Sequence, residues 1–402
     1  MDVVIIGAGL AAAKAAIALR SSGHTGGVTI VGEETRPPYE RPPLSKDYLQ
    51  GGSSFEDALV EPESWYDEHD VRLVLGTRVE ALETGEHRVR LAGGEVLPYD
   101  KAVLATGAVP RGLDLPGADG ALVLRSAQDS EDLRAAFGSA ASVVIIGAGW
   151  IGLEAAAAAR AAGLRTTVLE AANVPLRQAL GEEMGSYFAD LHRAHDVDVR
   201  VGVSVDAVTG DGPFAVRAGG DVIETDLVLV AVGVAPATEL AEAAGLLVED
   251  GVVTDERFVT SDPDVLAIGD VARVSNTALG TPLRVEHWDN AVRQGEAVAR
   301  VLLGEETTYD WLPFFFTDQY DLGMEYVGHG GPDDDTLVRG DVASGEFIAF
   351  WLDGDRVTAG MNVNIWDVND DLRALVGRRV DREQLVDPDV PLTEVAHGTP
   401  QD

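Results

Sequence analysis

Two short glycine runs are the first residues in the sequence whose types and spacing suggest chemistry. Gly7-x-Gly9-x-x-Ala12 and Gly147-x-Gly149-x-x-Gly152 each follow an apolar run and open an alanine-rich segment, and each is followed by an acid, Glu33 or Glu170, at the end of the next apolar run. The first glycine of such a loop makes a tight strand-to-helix turn, and the second lets backbone approach a pyrophosphate at the positive helix N-terminus. The third position needs only a small residue for close helix–sheet packing, so Ala12 suffices. Leu10 and Ala11, and Trp150 and Ile151, stand where those helices begin. Each acid can accept hydrogen bonds from a ribose diol. A lone glycine turn would say little; a strand, turn, helix, strand and acid in that order, found twice, reads as two dinucleotide sites.

What positions the loops is an internal duplication. Residues 3–9 recur letter for letter as residues 143–149, an offset of 140, and residues 79–110 align without gaps on 205–236 at an offset of 126, with 10 identities in 32 positions. The second echo includes Gly93-Gly94 on Gly219-Gly220, Asp100 on Asp226, Gly107 on Gly233 and Pro110 on Pro236. The first copy is therefore 14 residues longer, and the Pro-rich run from Arg36 to Lys46 has no counterpart in the second. Each copy reads as a doubly wound α/β sheet with an antiparallel meander turning at its glycine pair and a closing strand at 102–105 or 227–231.

Beyond the second copy a strand at 265–268 ends at Gly269-Asp270, and 286–303 reads as a helix. From Trp311 onward aromatics concentrate and strands alternate at 347–352 and 357–363, joined by a turn at Asp353-Gly354. The expected organisation is a discontinuous first domain at 1–112 and 238–311, a second at 113–237, a smaller C-terminal α+β domain at 312–395, and a tail at 396–402.

Composition narrows the chemistry. The 402 residues include no cysteine, which excludes disulfides, thiolate nucleophiles, CxxC redox pairs and Cys-ligated metals. His192 and His195 lack a third ligand nearby and read as a solvated helix face; Asp333-Asp334-Asp335 reads as a loop without calcium spacing. No metal is expected. With 68 acidic against 30 basic residues the net charge is −38, so neither nucleic acid nor an anionic membrane is an expected partner. Only Lys14, Lys46 and Lys101 are lysine; the other basic residues are arginine. Without a basic leader or a long apolar run, the expected location is the cytoplasm.

Two loops imply two different dinucleotides, with the longer copy suited to a tightly held flavin and the second to a nicotinamide that comes and goes. Glu170 repels a 2′-phosphate and no arginine follows it, which favours NADH over NADPH.

The motifs Arg41-Pro42-Pro43-Leu44-Ser45-Lys46, Ala105-Thr106-Gly107, Gly149-Trp150-Ile151-Gly152-Leu153-Glu154, Gly269-Asp270-Val271-Ala272, Glu286-His287-Trp288 and Thr317-Asp318-Gln319-Tyr320 carry a resemblance over residues 1–395. The chain resembles the FAD-dependent NADH:ferredoxin reductases of the glutathione-reductase fold, the group of putidaredoxin, rubredoxin and dioxygenase ferredoxin reductases. The resemblance implies two Rossmann-like domains, for FAD and NAD, and a smaller C-terminal domain. It also implies Lys46 beside the flavin ring paired with Glu154, Asp270 on the ribitol, Arg111 near the pyrophosphate, Arg41 among the cofactor-binding residues, a backbone contact to adenine at Val79, and backbone donors at His287 and Trp288. Trp150 and Val232-Gly233 fall at the nicotinamide side, with core packing the alternative for Trp150 and Trp288.

The implied activity is hydride transfer from NADH to flavin N5, then single electrons to a small iron–sulfur protein, a [2Fe-2S] or other ferredoxin, that supplies a cytochrome P450 or ring-hydroxylating oxygenase. The missing thiol removes the disulfide-reductase branch of the fold. A thiol-free NADH:quinone or monodehydroascorbate reductase, and a redox sensor like apoptosis-inducing factor, stand as alternatives. Phe316 and Thr317 replace the family's tryptophan and serine near the docking surface, where Arg339, Arg373, Arg378 and Arg379 could offset the acidic field. A monomer or weak homodimer is expected.

Overall fold

Glycine-loop geometry and alternating apolar runs produce the same unit twice. In the computed structural model, which describes residues 1–397, the strand Val3–Ile6 is wholly buried and lies between Val28–Val31 and Lys101–Leu104, parallel to both. Val71–Val74 and Val265–Ala267 complete a five-stranded parallel sheet. In the second copy Ser142–Ile146 lies between Arg165–Leu169 and Leu227–Val230, and Asp198–Arg200 adds the fourth strand. Strands buried on both faces read as continuous apolar runs, as these do. Each copy adds a three-stranded antiparallel meander, Val79–Glu83, Arg88–Leu91 and Val96–Pro98 in one, Val205–Thr209, Phe214–Ala218 and Asp221–Thr225 in the other. Gly93, Gly94, Gly219 and Gly220 all have positive φ, as the turns require.

The duplication extends to an arginine that gathers loop carbonyls. Arg20 donates to the carbonyls of His24, Gly26, His69 and Asp70. Arg160 donates to the carbonyls of Leu164 and His195 and to the carboxylate of Asp196. His24 and Leu164 differ by 140, whereas His69-Asp70 and His195-Asp196 differ by 126. The 14-residue difference is thereby confined to the chain between His24 and His69.

The chain divides into two compact units. The first comprises Met1–Pro42, Ser54–Val109 and Val234–Trp311, and the second Pro43–Ser53, Pro110–Gly233 and Leu312–Asp402. The Pro-rich segment peculiar to the first copy thus contributes its second half to the second unit. In the first unit the helix Leu10–Ser21 packs on the helix Trp288–Leu302 through small residues; a Cβ on Gly295 would lie 2.6 Å from the Ala11 carbonyl oxygen. That helix begins at Trp288 with His287 as its cap, two residues later than the apolar pattern begins, because the His287 ring accepts from the Asp289 amide.

In the second unit the C-terminal sheet has five antiparallel strands in the order Phe314–Gln319, Leu322–Gly328, Arg356–Val363, Glu346–Asp353 and Asp335–Asp341. The fully buried Phe347 and Trp351 join its core to the helix Arg177–Ala194, whose Leu180 carbonyl accepts from the Trp351 indole at 3.1 Å. The turn expected at Asp353-Gly354 sits one residue later: Asp353 pairs with Arg356, and Gly354 supplies the φ of +60° that a two-residue hairpin turn needs. Three short helices follow, the last being Leu392–His397. The tail expected at 396–402 lies outside the described residues from 398 onward.

Candidate active site

Each glycine loop is shaped by its own chain and open toward a ligand. Gly7 has φ +113°, and a Cβ there would sit 2.1 Å from the Ala105 carbonyl oxygen; Gly147 has φ +104°, with the Ala231 oxygen 2.4 Å away. Neither position admits a side chain. At Gly9 and Gly149, by contrast, a Cβ would meet no atom within 4 Å. Both residues cap their helices without a side-chain hydrogen bond, so the first-turn amides of Leu10–Ser21 and Trp150–Ala161 are left for an anion. Open space over uncapped helix N-termini fits the pyrophosphates of FAD and NAD(H). At Gly152 a Cβ would lie 2.2 Å from the Gly147 oxygen, so this loop needs its third glycine where the first makes do with Ala12.

Around the first loop the structure arranges several of the expected residues. Glu33 is exposed at the end of its strand, and Val79 is half-buried at the start of the strand Val79–Glu83. Arg41 pairs with Glu34 at 3.1 Å and feels the charge of Asp270. Asp270 follows Gly269, whose amide donates to Gln294 at 2.7 Å. Thr106 and Gly107 are fixed through Ala237: the threonine hydroxyl donates to its carbonyl at 2.8 Å, and its amide donates to the Gly107 carbonyl at 3.0 Å. The Glu286 carboxylate is held through Oε1 by Arg284.

The second unit holds the charged centre. Glu154 lies on the second turn of Trp150–Ala161 and is only 6% exposed. It pairs with Lys46 Nζ at 2.7 Å and accepts from the Ser45 hydroxyl and, at 2.6 Å, from Thr317. A buried carboxylate needs such partners. Lys46 also lies 5.5 Å from the centre of the Phe316 ring. Phe316 and Thr317, the two departures from the family pattern, thus both touch the Lys46–Glu154 pair. Asp318 next to them is held above the usual carboxylate range by partial burial, with Glu154 and Asp47 adding to the rise against the pull of Lys46.

The second loop is also tied to its acid. Glu170 accepts from the amides of Ala148 and Ala172. Trp150 packs against Phe315 and edge-on to Phe188, with centroids 4.9 and 5.8 Å away. Ile151 is exposed, and Gly233, with φ +92°, takes the Arg111 amide on its carbonyl at 2.9 Å.

Residues 1–295 match the family model described as pyridine nucleotide-disulphide oxidoreductase, and residues 314–396 the one described as reductase C-terminal. The chain belongs to the pyridine nucleotide-disulphide oxidoreductase family. Within this family it is similar to the ferredoxin reductase subunit of 5,5'-dehydrodivanillate O-demethylase from Sphingobium sp., at 40% identity over 98% of each chain. It is equally similar to rhodocoxin reductase from Rhodococcus erythropolis, at 40% identity over 90% of this chain and 86% of the relative. The crystal structure of the covalent putidaredoxin reductase–putidaredoxin complex superposes with a TM-score of 0.94 at 35% identity, over 98% of each chain. The ferredoxin-reductase group expected from the motifs, and the two Rossmann-like domains with a C-terminal α+β domain, are those of the structure. The disulfide in the family's name has no counterpart in this cysteine-free member.

One expectation fails. His192 is not on a solvated face but fully buried, its ring bonded to Gln319 and Tyr320. His195 instead caps the end of the helix and stacks on Tyr320 at 3.7 Å. Three-residue spacing placed both histidines on one face without showing that the hairpin Phe314–Gly328 covers it. The signal was present: His69-Asp70-Val71 and His195-Asp196-Val197 extend the second echo, so His195 ends a helix just as His69 does. The Arg339 guanidinium donates to the carbonyls of Leu385, Pro388 and Val390, neutral partners that fix its position and leave its charge in place. The three aspartates at 333–335 are separately engaged, Asp333 with Arg177, Asp334 with Thr358 and Asp335 with Arg382. Among the described residues no helix is long and apolar enough to cross a membrane.

Proposed function

We propose that the protein takes reducing equivalents from NADH and passes them singly to a small ferredoxin serving a cytochrome P450 or ring-hydroxylating oxygenase. The observation that supports this most is the Lys46–Glu154 ion pair in a chain without cysteine. In this reading the domains are 1–112 with 238–311 for FAD, 113–237 for NAD, and 312–395 for the partner side.

The residues divide the work by their chemistry. Gly7, Gly9, Leu10 and Ala11 receive the FAD pyrophosphate with help from Arg41 and Arg111; Glu33 takes a ribose, Asp270 the ribitol, and Val79 the adenine. Backbone at Ala105, Thr106, Gly107, Glu286, His287 and Trp288 closes round the rest. FAD so held, tightly and without a covalent bond, supplies two-electron acceptance from NADH and one-electron release. Lys46 places a compact positive charge where the reduced ring gains negative charge, and Glu154 fixes its position. Gly147, Gly149, Gly152, Val232 and Gly233 receive the nicotinamide dinucleotide, with Trp150 and Ile151 at its entry. Glu170 selects NADH, because a 2′-phosphate would arrive against a carboxylate. The same reading makes the protein a cytoplasmic monomer or weak homodimer.

The test is an anaerobic titration of the flavin-loaded protein with NADH, followed by candidate ferredoxins and cytochrome c. Cytochrome reduction that requires a ferredoxin is the expected result. Turnover with a quinone but with none of the ferredoxins would overturn the partner assignment, and a chain that takes up no flavin would overturn the whole reading.

A further inference from the structure

Behind Glu154 runs a line of buried polar side chains that direct cofactor chemistry does not use. Thr317 donates to Glu154 at 2.6 Å, and the Gln319 amide donates to the Thr317 oxygen at 3.2 Å. Gln319 Oε1 lies 2.8 Å from His192 Nε2, and the Tyr320 hydroxyl lies 3.0 Å from His192 Nδ1. Thr317, Gln319 and His192 are each at most 1% exposed. Since an amide oxygen only accepts, Nε2 must carry the proton; with a neutral ring Nδ1 then accepts from Tyr320. Burial pushes the His192 ring down to about 4, so it is neutral at pH 7. Every bond therefore points the same way, from Tyr320 through His192, Gln319 and Thr317 onto the carboxylate. Donors aligned in series polarise one another toward the anion at their end.

A second observation marks the outer end of the line. Tyr320 begins the two-residue turn between Phe314–Gln319 and Leu322–Gly328 with φ +56°, a conformation glycine or asparagine adopts at less cost than an aromatic residue. That backbone delivers the Tyr320 ring onto His195, at 3.7 Å and 8° between planes, and its hydroxyl onto His192.

We infer that Tyr320, His192, Gln319 and Thr317 form a one-way hydrogen-bond relay whose task is to position Glu154, and through it the Lys46 ammonium. These are positioning residues, acting on the cofactor only through the Lys46–Glu154 pair. The consequence for the flavin rests on the function proposed above; the relay itself does not.

Because the chain has only three lysines, an amine-selective NMR spectrum of 15N-lysine-labelled, flavin-loaded protein resolves Lys46, and 15N-histidine labelling reports the His192 tautomer. Wild-type protein should show His192 neutral with the proton on Nε2, and Lys46 as a slowly exchanging ammonium. His192→Leu and Gln319→Leu should each speed Lys46 exchange by about tenfold, the worth of one bond in a charge-assisted set, and lower the flavin midpoint potential. His192→Gln, which keeps a donor toward Gln319 and an acceptor toward Tyr320, should restore both. Should the leucine variants fail to fold, Tyr320→Phe removes only the outermost hydroxyl and should shift Lys46 exchange in the same direction by less. A charged or Nδ1-protonated His192 at pH 7, or unchanged Lys46 exchange in every variant that folds, would overturn the relay. Flavin-free protein with intact lysine and histidine signals would instead overturn the proposed function and leave the relay standing.

Discussion

The Glu170 carboxylate accepts a hydrogen bond from the Ala148 amide at 2.7 Å, joining the acid at the end of one strand to the glycine loop at the end of its neighbour. A second bond, from Ala172 at 2.8 Å, fixes the other oxygen. The carboxylate is thus preset before any nucleotide arrives, with lone pairs left for a ribose diol. Glu170→Ala should lower kcat/KM for NADH by roughly 10- to 100-fold, the scale of a lost charged hydrogen bond, while kcat/KM for NADPH rises because the carboxylate that repels the 2′-phosphate is gone. Steady-state kinetics with both coenzymes checks this. A parallel loss with NADPH would mean that Glu170 supports the loop and does not choose the coenzyme.

The two glycines of the first loop should separate folding from binding. Gly7→Ala drives a Cβ against the Ala105 carbonyl at 2.1 Å and requires φ near +113°, so thermal stability should fall by several kcal/mol, on the order of 2–4. Gly9→Ala introduces a Cβ that touches nothing and has φ −93°, open to any residue. Its stability measured without flavin should stay within about 0.5 kcal/mol of wild type, while FAD affinity falls because the methyl occupies ligand space. Unimpaired flavin binding by Gly9→Ala would remove the pyrophosphate from this loop.

The duplicated sheets and both loops were legible because they repeat: apolar runs of four or five residues, glycines at the same turn positions, and an acid closing the next apolar run. The Lys46–Glu154 pair was legible only through resemblance, since 108 residues separate its members and no periodicity joins them. His192 was misread because burial of a helix face depends on what covers it, and the covering hairpin lies over 120 residues downstream. The structural role of Arg339 was invisible for a related reason: an arginine that gathers carbonyls looks like simple surface charge until the loop it holds is seen.

Salt should stabilise this protein. Its 68 acidic and 30 basic residues leave a net charge of −38 whose self-repulsion favours expanded states. Raising KCl from about 0.05 M to about 1 M shortens the screening length to roughly 3 Å. The unfolding midpoint should rise by roughly 2 °C, a gain of one to two kcal/mol for a chain of this size. A flat or falling midpoint in calorimetry across that range would show that local ion pairs, such as Arg72–Glu95 and Arg382–Asp335, outweigh the net field.

Acid should destabilise the fold before the carboxylates titrate, and His192 should be the main reason. Its folded value is pushed down to about 4 by burial, with the nearby His195 adding to the fall and the Gln319 bond opposing it. The unfolded ring titrates near 6.5, so between about pH 6.5 and 4 the unfolded chain binds a proton that the folded one refuses. Stability is then fully present above pH 6.5 and is lost as pH falls through that window, by at most about 3 kcal/mol. His24 and His329 are also lowered, chiefly by burial, and add in the same direction. His192→Gln removes the titrating group while keeping its hydrogen-bond pattern. Urea titrations at half-unit steps from pH 7 to 4.5 should therefore show a shallower loss for the variant than for wild type, so that the difference between the two shifts in the variant's favour as pH falls. Parallel curves would mean that His192 takes up its proton in the folded protein, and that the line of donors behind Glu154 tolerates a charged ring.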